Sequence, residues 1–219
     1  EAISLKLNFK IAVISIDDFY LPSDEMELAI KNNPWNVSRG IPGSHSVKLM
    51  HEKLLNWKKN RELDVPVFDK SLRNGLGDRS HWRVDKPDLL IIEGWFLGIE
   101  PFSSDIISQH ITSADLSLDE SSYMSKIQNN LKEYLDVWSL IDNIWHLKPV
   151  KYEYMNIWKT NQEKEMFLQK GNALQDEKLS NFLRMLNVSI PHKCFDVIDS
   201  YALLLIDQDR NLVETGLNL

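Results

Sequence analysis

Apolar and polar positions fall in blocks along this 219-residue chain, and the block lengths predict strands and helices in turn. Ile11-Ala12-Val13-Ile14-Ser15-Ile16 is a nearly unbroken apolar run closed by Asp17-Asp18. That is the pattern of a buried parallel strand delivering acid to its C-terminal edge. Asp88-Leu89-Leu90-Ile91-Ile92-Glu93-Gly94-Trp95 predicts a second strand, again ending in a carboxylate and then a glycine. Ile144-Trp145-His146-Leu147, closed by Pro149, predicts a third, and Ala202–Ile206 a last one that turns at Asp207–Asn211. Ile127, Leu131, Tyr134, Trp138 and Ile141 recur at steps of three and four and predict a helix over 119–140. Shorter helices are expected over 23–33, with Ser23 as N-cap and Pro34 as the stop, and after Ser46, with Val47, Met50, Leu54 and Trp57 on one face. A long polar helix is expected up to Lys170, ended by Gly171, and another over 176–187.

Strands alternating with helices imply an α/β fold: a doubly wound, mainly parallel sheet with helices on both faces. Ligands bind such sheets at the carboxyl ends of the strands, which places the expected site at Asp17, Asp18 and Glu93. Residues 39–45 (Arg39-Gly40-Ile41-Pro42-Gly43-Ser44-His45) form an irregular stretch rich in turn residues. Residues 64–86 show no clear periodicity and read as a long loop, a feature uncommon in compact domains unless it binds something. No repeat, low-complexity tract or linker divides the chain. A single domain over residues 1–219 is expected, with a helical, lid-like segment at about 150–190. The chain begins at Glu1 rather than Met, so its N-terminus is expected to be cut, processed or incompletely represented.

Charge narrows the function classes. A formal net charge of -7 argues against a general nucleic-acid or anionic-membrane surface, although a local anion site remains compatible with it. Cys194 is the single cysteine, which excludes a disulfide framework and makes a reducing, cytoplasmic setting the expectation. His192 and Cys194 are expected to be a surface pair rather than metal ligands. No apolar run approaches the roughly 20 residues of a membrane span.

An acidic strand end of this kind normally serves a phosphate-binding loop with Mg²⁺ nearby, but no G-x-x-x-x-G-K-[S/T] occurs in the chain. The ordered set Ser15-Ile16-Asp17-Asp18-Phe19-Tyr20-Leu21, Arg39–His45, Phe68-Asp69-Lys70-Ser71, Gly75-Leu76-Gly77-Asp78-Arg79 and Glu93-Gly94-Trp95-Phe96-Leu97-Gly98 resembles a P-loop kinase group. This group holds plant-type D-glycerate 3-kinase and fungal ATP-binding kinase-like proteins, relatives of uridine kinase and phosphoribulokinase. Asn130-Leu131, Tyr134, Trp138, Trp158-Lys159 and Gln162-Glu163 fit the family's later helices, so the resemblance runs from about residue 11 to the C-terminus. There are departures. The family's phosphate loop would lie about 30 residues before the double aspartate, beyond Glu1. Ser46 stands where the family has aspartate, Lys159 where it has arginine, and Gly171-Asn172-Ala173-Leu174 where it has a lysine-bearing stretch. Arg184 is one place out of register with an expected arginine.

The resemblance implies an ATP-dependent kinase that phosphorylates a hydroxyl of a small acid such as D-glycerate, with ATP and Mg²⁺ as cofactors. It further implies that a phosphate loop must be supplied upstream of residue 1 and that this chain alone is inactive; a silent relative retained for binding is the alternative. By the same resemblance Asp17 is the catalytic carboxylate beside the attacking hydroxyl, and Asp17 and Glu93 are the metal ligands. Arg39, His45, Asp69, Lys70 and Arg79 form the expected substrate group, since arginine gives a two-pronged donor to a carboxylate. Lys159 and Arg184, with Lys164 and Lys170, are expected to face the ATP phosphates, and Leu131, Tyr134 and Trp138 to be core packing.

Overall fold

A computed structural model describes residues 5, 6, 8–171 and 173–217. Glu1 and Asn172 lie outside the described residues, as does the side chain of Lys170. The chain forms two compact units that it visits alternately: residues 1–31, 38–97 and 129–140 make up the first, and 32–37, 98–128 and 141–219 the second.

In the first unit, strand β1 (Ile11–Ser15) lies parallel to β4 (Leu89–Glu93), with Ile11 opposite Leu89 and Ser15 opposite Glu93. The apolar runs therefore form neighbouring strands that end together, and both acidic tips emerge at one edge. Beyond Ser15 the chain tightens into a 3-10 turn, Ile16–Phe19. Ser15 closes that turn: its Oγ accepts from the Asp17 N–H (3.2 Å) while its own N–H donates to Asp18 Oδ2 (3.1 Å). This reciprocal cap satisfies donors that a helix start leaves open. Helix α1 (Ser23–Ala29) follows Pro22, which holds the cap position in place of the expected Ser23, and the helix stops before residues 31–33. Helix α2 (Val47–Asn60) buries Val47, Met50, Leu54 and Trp57 as its apolar stripe predicts. Ser46 precedes α2 without capping it by its side chain.

The loop expected over 64–86 is instead an antiparallel hairpin of β2 (Leu63–Asp69) and β3 (Asp78–Asp85), with a bulge between Val67 and Phe68. Leu63 and Val65 are buried, whereas Trp82 and Val84 are exposed. Gly77 has φ +78°, and a Cβ there would stand 2.3 Å from the Phe68 ring, so the hairpin's return admits only glycine. The second half of the helix α4 (Leu118–Trp138) completes this unit, burying Leu131, Tyr134 and Val137. Ile14, Ile16, Phe19, Met50 and Phe96 share that core, each large side chain contributing about 1.5–3 kcal/mol by leaving water.

In the second unit, β5 (Trp145–Pro149) pairs parallel with β6 (Ala202–Ile206), which pairs antiparallel with β7 (Leu212–Leu217). The chain thus has the expected α/β architecture, with parallel pairs in both units and antiparallel additions at β3 and β7. Helices α3 (Ser104–Ser113), α5 (Glu153–Lys170), α6 (Asp176–Val188) and α7 (His192–Asp196) belong here, with Gly171 ending α5 in the left-handed region. Cys194 is buried rather than on the surface, and the His192 ring stacks on Tyr152 at 4.1 Å. No helix among the described residues is long and apolar enough to cross a membrane.

Candidate active site

Asp17 projects from the turn that ends β1, two positions past the last strand pairing, and its side chain is 25% exposed. Lys70, carried on the turn after β2, donates from Nζ to Asp17 Oδ2 at 2.7 Å. On the other side the His45 ring presents Nε2 at 3.9 Å from Asp17 Oδ1, beyond hydrogen-bond range. Burial alone would push the Asp17 carboxyl up. The facing His45 ring and the Lys70 ammonium outweigh it and hold the group well below the usual carboxylate range. Asp17 is therefore an anion at any physiological pH.

Asp18 takes the structural part. Its two oxygens accept from the Ser15 N–H and from the Phe68 N–H (3.4 Å), so it ties β1 to β2. Of the adjacent pair, only Asp17 keeps its carboxylate facing outward to exchangeable partners.

His45 is fully buried, stacked on Tyr20 at 4.6 Å and edge-on to Phe96 and Tyr134. Burial depresses its basicity; the Asp17 charge pulls the other way by less. Its Nδ1 lies 2.8 Å from the Tyr134 hydroxyl, while Nε2 has no hydrogen-bond partner. Gly43 fits close beneath: at φ +96° its absent Cβ would sit 2.1 Å from Asn130 Nδ2, the group that donates to Pro42 O at 2.7 Å.

The remaining expected substrate residues surround this centre with their own anchors. Arg39 Nη1 donates to the carbonyls of Gly75 (3.0 Å) and Leu76 (2.7 Å), placing the guanidinium near the Phe68 ring. Arg79 donates to Tyr20 O (3.1 Å) and to Ser46 Oγ (2.6 Å), so the residue standing in place of the family's aspartate still receives an arginine. Asp69 accepts from the Ser71 N–H and Oγ–H, fixing the turn that carries Lys70. Glu93, opposite Ser15, is exposed, and its carboxylate makes no hydrogen bond or ion pair among the described residues. Gly94 brings its backbone against Ile16, whose Cδ1 would lie 2.5 Å from an added Cβ. Trp95 Nε1 donates to Gly40 O at 2.8 Å.

Two residues matter here to which the sequence assigns no part in the site. Tyr134 wires its hydroxyl to both Gly43 N–H (3.1 Å) and His45, and Tyr20 is a buried phenol whose acidity the Asp17 charge suppresses further, after burial itself. A tyrosine rather than a phenylalanine in a helical core stripe is the signal, since its hydroxyl must find a partner.

Lys159 and Arg184 belong to the second unit, and each is matched to a buried acid. Lys159 pairs with Glu163 and lies over the Phe182 ring. Arg184 grips Glu120 with two nitrogens, Nε at 2.8 Å and Nη2 at 2.7 Å, and also donates to the carbonyls of Ala114 and Asp115. Lys164 is exposed. Among the described residues no three His, Cys, Asp or Glu side chains cluster as a ready-made metal cage.

An anionic carboxylate at the tip of a parallel strand, bracketed by lysine and histidine, on a fold shared with P-loop kinases, defines the class: an α/β kinase-like protein. The chain is 31% identical over 188 residues to the Uncharacterized kinase mug58 of Schizosaccharomyces pombe, covering 80% of this chain and 67% of that protein. It is 30% identical over 234 residues to the Probable ATP-dependent kinase TDA10 of Saccharomyces cerevisiae, covering 94% and 76%. The solved D-glycerate 3-kinase of Cryptococcus neoformans superposes with a TM-score of 0.86 at 25% identity, covering 99% of this chain and 83% of that one. No family model matches the chain. The chain belongs to the kinase family that includes the D-glycerate 3-kinases and these two fungal kinases.

Proposed function

We infer that the protein is an ATP-dependent small-molecule kinase whose acceptor is the hydroxyl of a small acid, D-glycerate being the first candidate. The observation that carries the reading is the state of Asp17: a strand-end carboxylate held ionised, with one oxygen on a half-exposed lysine and the other facing a donor it does not yet reach. Such a group accepts a hydroxyl proton and aims the oxygen at the phosphorus, and phosphoryl transfer is almost entirely positioning and charge stabilisation. A low-pKa carboxylate is a weak base, so its larger contribution is orientation. Lys70, half exposed at 52%, can leave Asp17 for the incoming acid's carboxylate. Arg39 and Arg79 use only some of their N–H donors on the protein, and the rest suit the same anion.

Bound ATP·Mg²⁺ supplies the transferable phosphoryl group and the counter-charge for it. Mg²⁺ keeps several waters and takes one or two carboxylates plus phosphate oxygens. Glu93 suits that need, being acidic, exposed and unpaired at the same sheet edge as Asp17. Arg39, His45, Asp69, Lys70 and Arg79 remain the substrate residues of this reading. Lys159 and Arg184 are its ATP-phosphate cations only on the strength of the resemblance, because each already neutralises an acid. A catalytically silent relative is the second reading, favoured by those same occupied cations. The test is a phosphorylation screen of hydroxy acids and nucleosides with the protein bearing its native N-terminus. ATP-dependent label transfer to D-glycerate or a close analogue supports the kinase; transfer to none of them supports the silent relative.

A further inference from the structure

The Tyr134 hydroxyl has one proton to give, and the groups around it dictate where that proton goes. Gly43 N–H can only donate, so the phenol oxygen accepts from it at 3.1 Å. The other contact, His45 Nδ1 at 2.8 Å, then has two possible polarities. If Nδ1 carried the proton, the phenol O–H would be left without an acceptor in a fully buried core. A bare Nε2 lone pair would also face the Asp17 carboxylate. Each fault leaves a buried polar group unsatisfied or repelled, which folding disfavours. If Tyr134 donates to Nδ1, both faults disappear. Nε2 then carries the ring proton and points it at Asp17 Oδ1, 3.9 Å away, where it meets no acceptor on the protein within hydrogen-bond distance.

We propose that Tyr134 is a positioning residue: its hydroxyl fixes His45 as the Nε2–H tautomer and so presents a buried, unfilled N–H donor beside Asp17 for an oxygen of the bound substrate. The tautomer stands on the geometry alone, and only the donor's purpose rests on the kinase reading. Tyr20 stacked on one face and Phe96 and Tyr134 against the edges leave the ring no room to swing, so the donor is preset before substrate arrives. The charged groups facing the ring are Asp17, which favours its protonation, and Lys70, which opposes it, while burial opposes it most.

The decisive measurement is nitrogen-15 NMR of the histidine side chains in the chain and in Tyr134→Phe, with His45 assigned by its loss in His45→Gln. The expected result is a neutral His45 with its proton on Nε2. Loss of the phenol donor to Nδ1 should shift the Nδ1 resonance and weaken the preference for the Nε2–H tautomer. A proton on Nδ1, or an Nδ1 resonance and tautomer balance unmoved in Tyr134→Phe, overturns the assignment, whatever the protein phosphorylates. For the donor's purpose, the complete protein is assayed with D-glycerate. Tyr134→Phe should lower kcat on the order of tenfold with KM for ATP unchanged, as loss of an orienting partner does elsewhere. His45→Gln, which keeps an N–H near the Nε2 position, should retain more turnover than His45→Leu. Equal losses in those two variants overturn the donor role, while absence of turnover in the wild type indicts the kinase reading and leaves the NMR result in force.

Discussion

Asp17 and Glu120 are both acids held well below the ordinary carboxylate range by neighbouring donors, yet they are built for opposite ends. Glu120 is buried with each oxygen committed: Oε1 accepts from Trp35 Nε1 (2.8 Å) and Arg184 Nε, and Oε2 from Arg184 Nη2 and Ser117 N–H. The Arg184 guanidinium, first, brings it down to about 2 against the penalty of burial. Asp17 has a single-pronged lysine, 52% exposed, the His45 ring at 3.9 Å and the Tyr20 phenol beside it. A depressed pKa is thus common to a structural clasp and to a candidate catalytic group. What separates them is unfilled hydrogen-bonding capacity, and that capacity marks the place where a ligand fits.

The contrast can be broken most severely at Asp17. Asp17→Asn in the complete protein should cut kcat by about 10²–10⁴-fold, the span of a lost proton acceptor, with ATP affinity nearly unchanged. Unaltered turnover would remove Asp17 from the chemistry. Glu120→Gln should instead cost stability, about 2–3 kcal/mol at neutral pH, because it leaves Arg184 without its counter-charge. Its folded pKa lies below the unfolded one, so the stabilisation is complete above the ordinary pKa and fades as pH falls towards about 2. Urea midpoints at pH 7 and pH 3 should therefore show the wild-type advantage shrinking with acid. A constant gap would mean the clasp is not electrostatic.

Lys70→Met should lower kcat/KM on the order of tenfold, the effect of one charge-assisted contact. It should also move the acid limb of the pH profile upward, since Asp17 loses a cation that holds it down. An unmoved limb would show that Lys70 is a bystander. The smallest effect belongs to Trp35→Phe, which removes one hydrogen bond from an already doubly bound Glu120 and should cost about 1 kcal/mol in thermal unfolding.

The strands carrying the site were legible because a buried parallel strand must be apolar throughout, so β1, β4 and β6 announce themselves and their acidic ends stand out. The β2–β3 hairpin was not legible. Pro66 sits inside β2, and β3 reads Asp78-Arg79-Ser80-His81, so neither shows the alternation that marks a half-buried strand. Yet that hairpin delivers Lys70 to Asp17, so the part of the site hardest to read is set by tertiary pairing. His45 looked like a loop residue among glycines, and only the fold shows it buried under Tyr20 with one nitrogen free. Short helices α3 and α7 and strand β7 carry too few periodic positions to signal themselves. Arg184 illustrates the reverse difficulty: a cation on a charge-rich helix gives no hint in sequence that Glu120, 64 positions away, holds it.

The most direct test is a structure of the complete protein with D-glycerate bound. A substrate hydroxyl should lie within about 2.6–3.2 Å of the Asp17 carboxylate, the range proton transfer requires, with Lys70 turned from Asp17 to the substrate's own carboxylate. Glycerate bound elsewhere, with the Lys70–Asp17 pair still closed, would contradict the account.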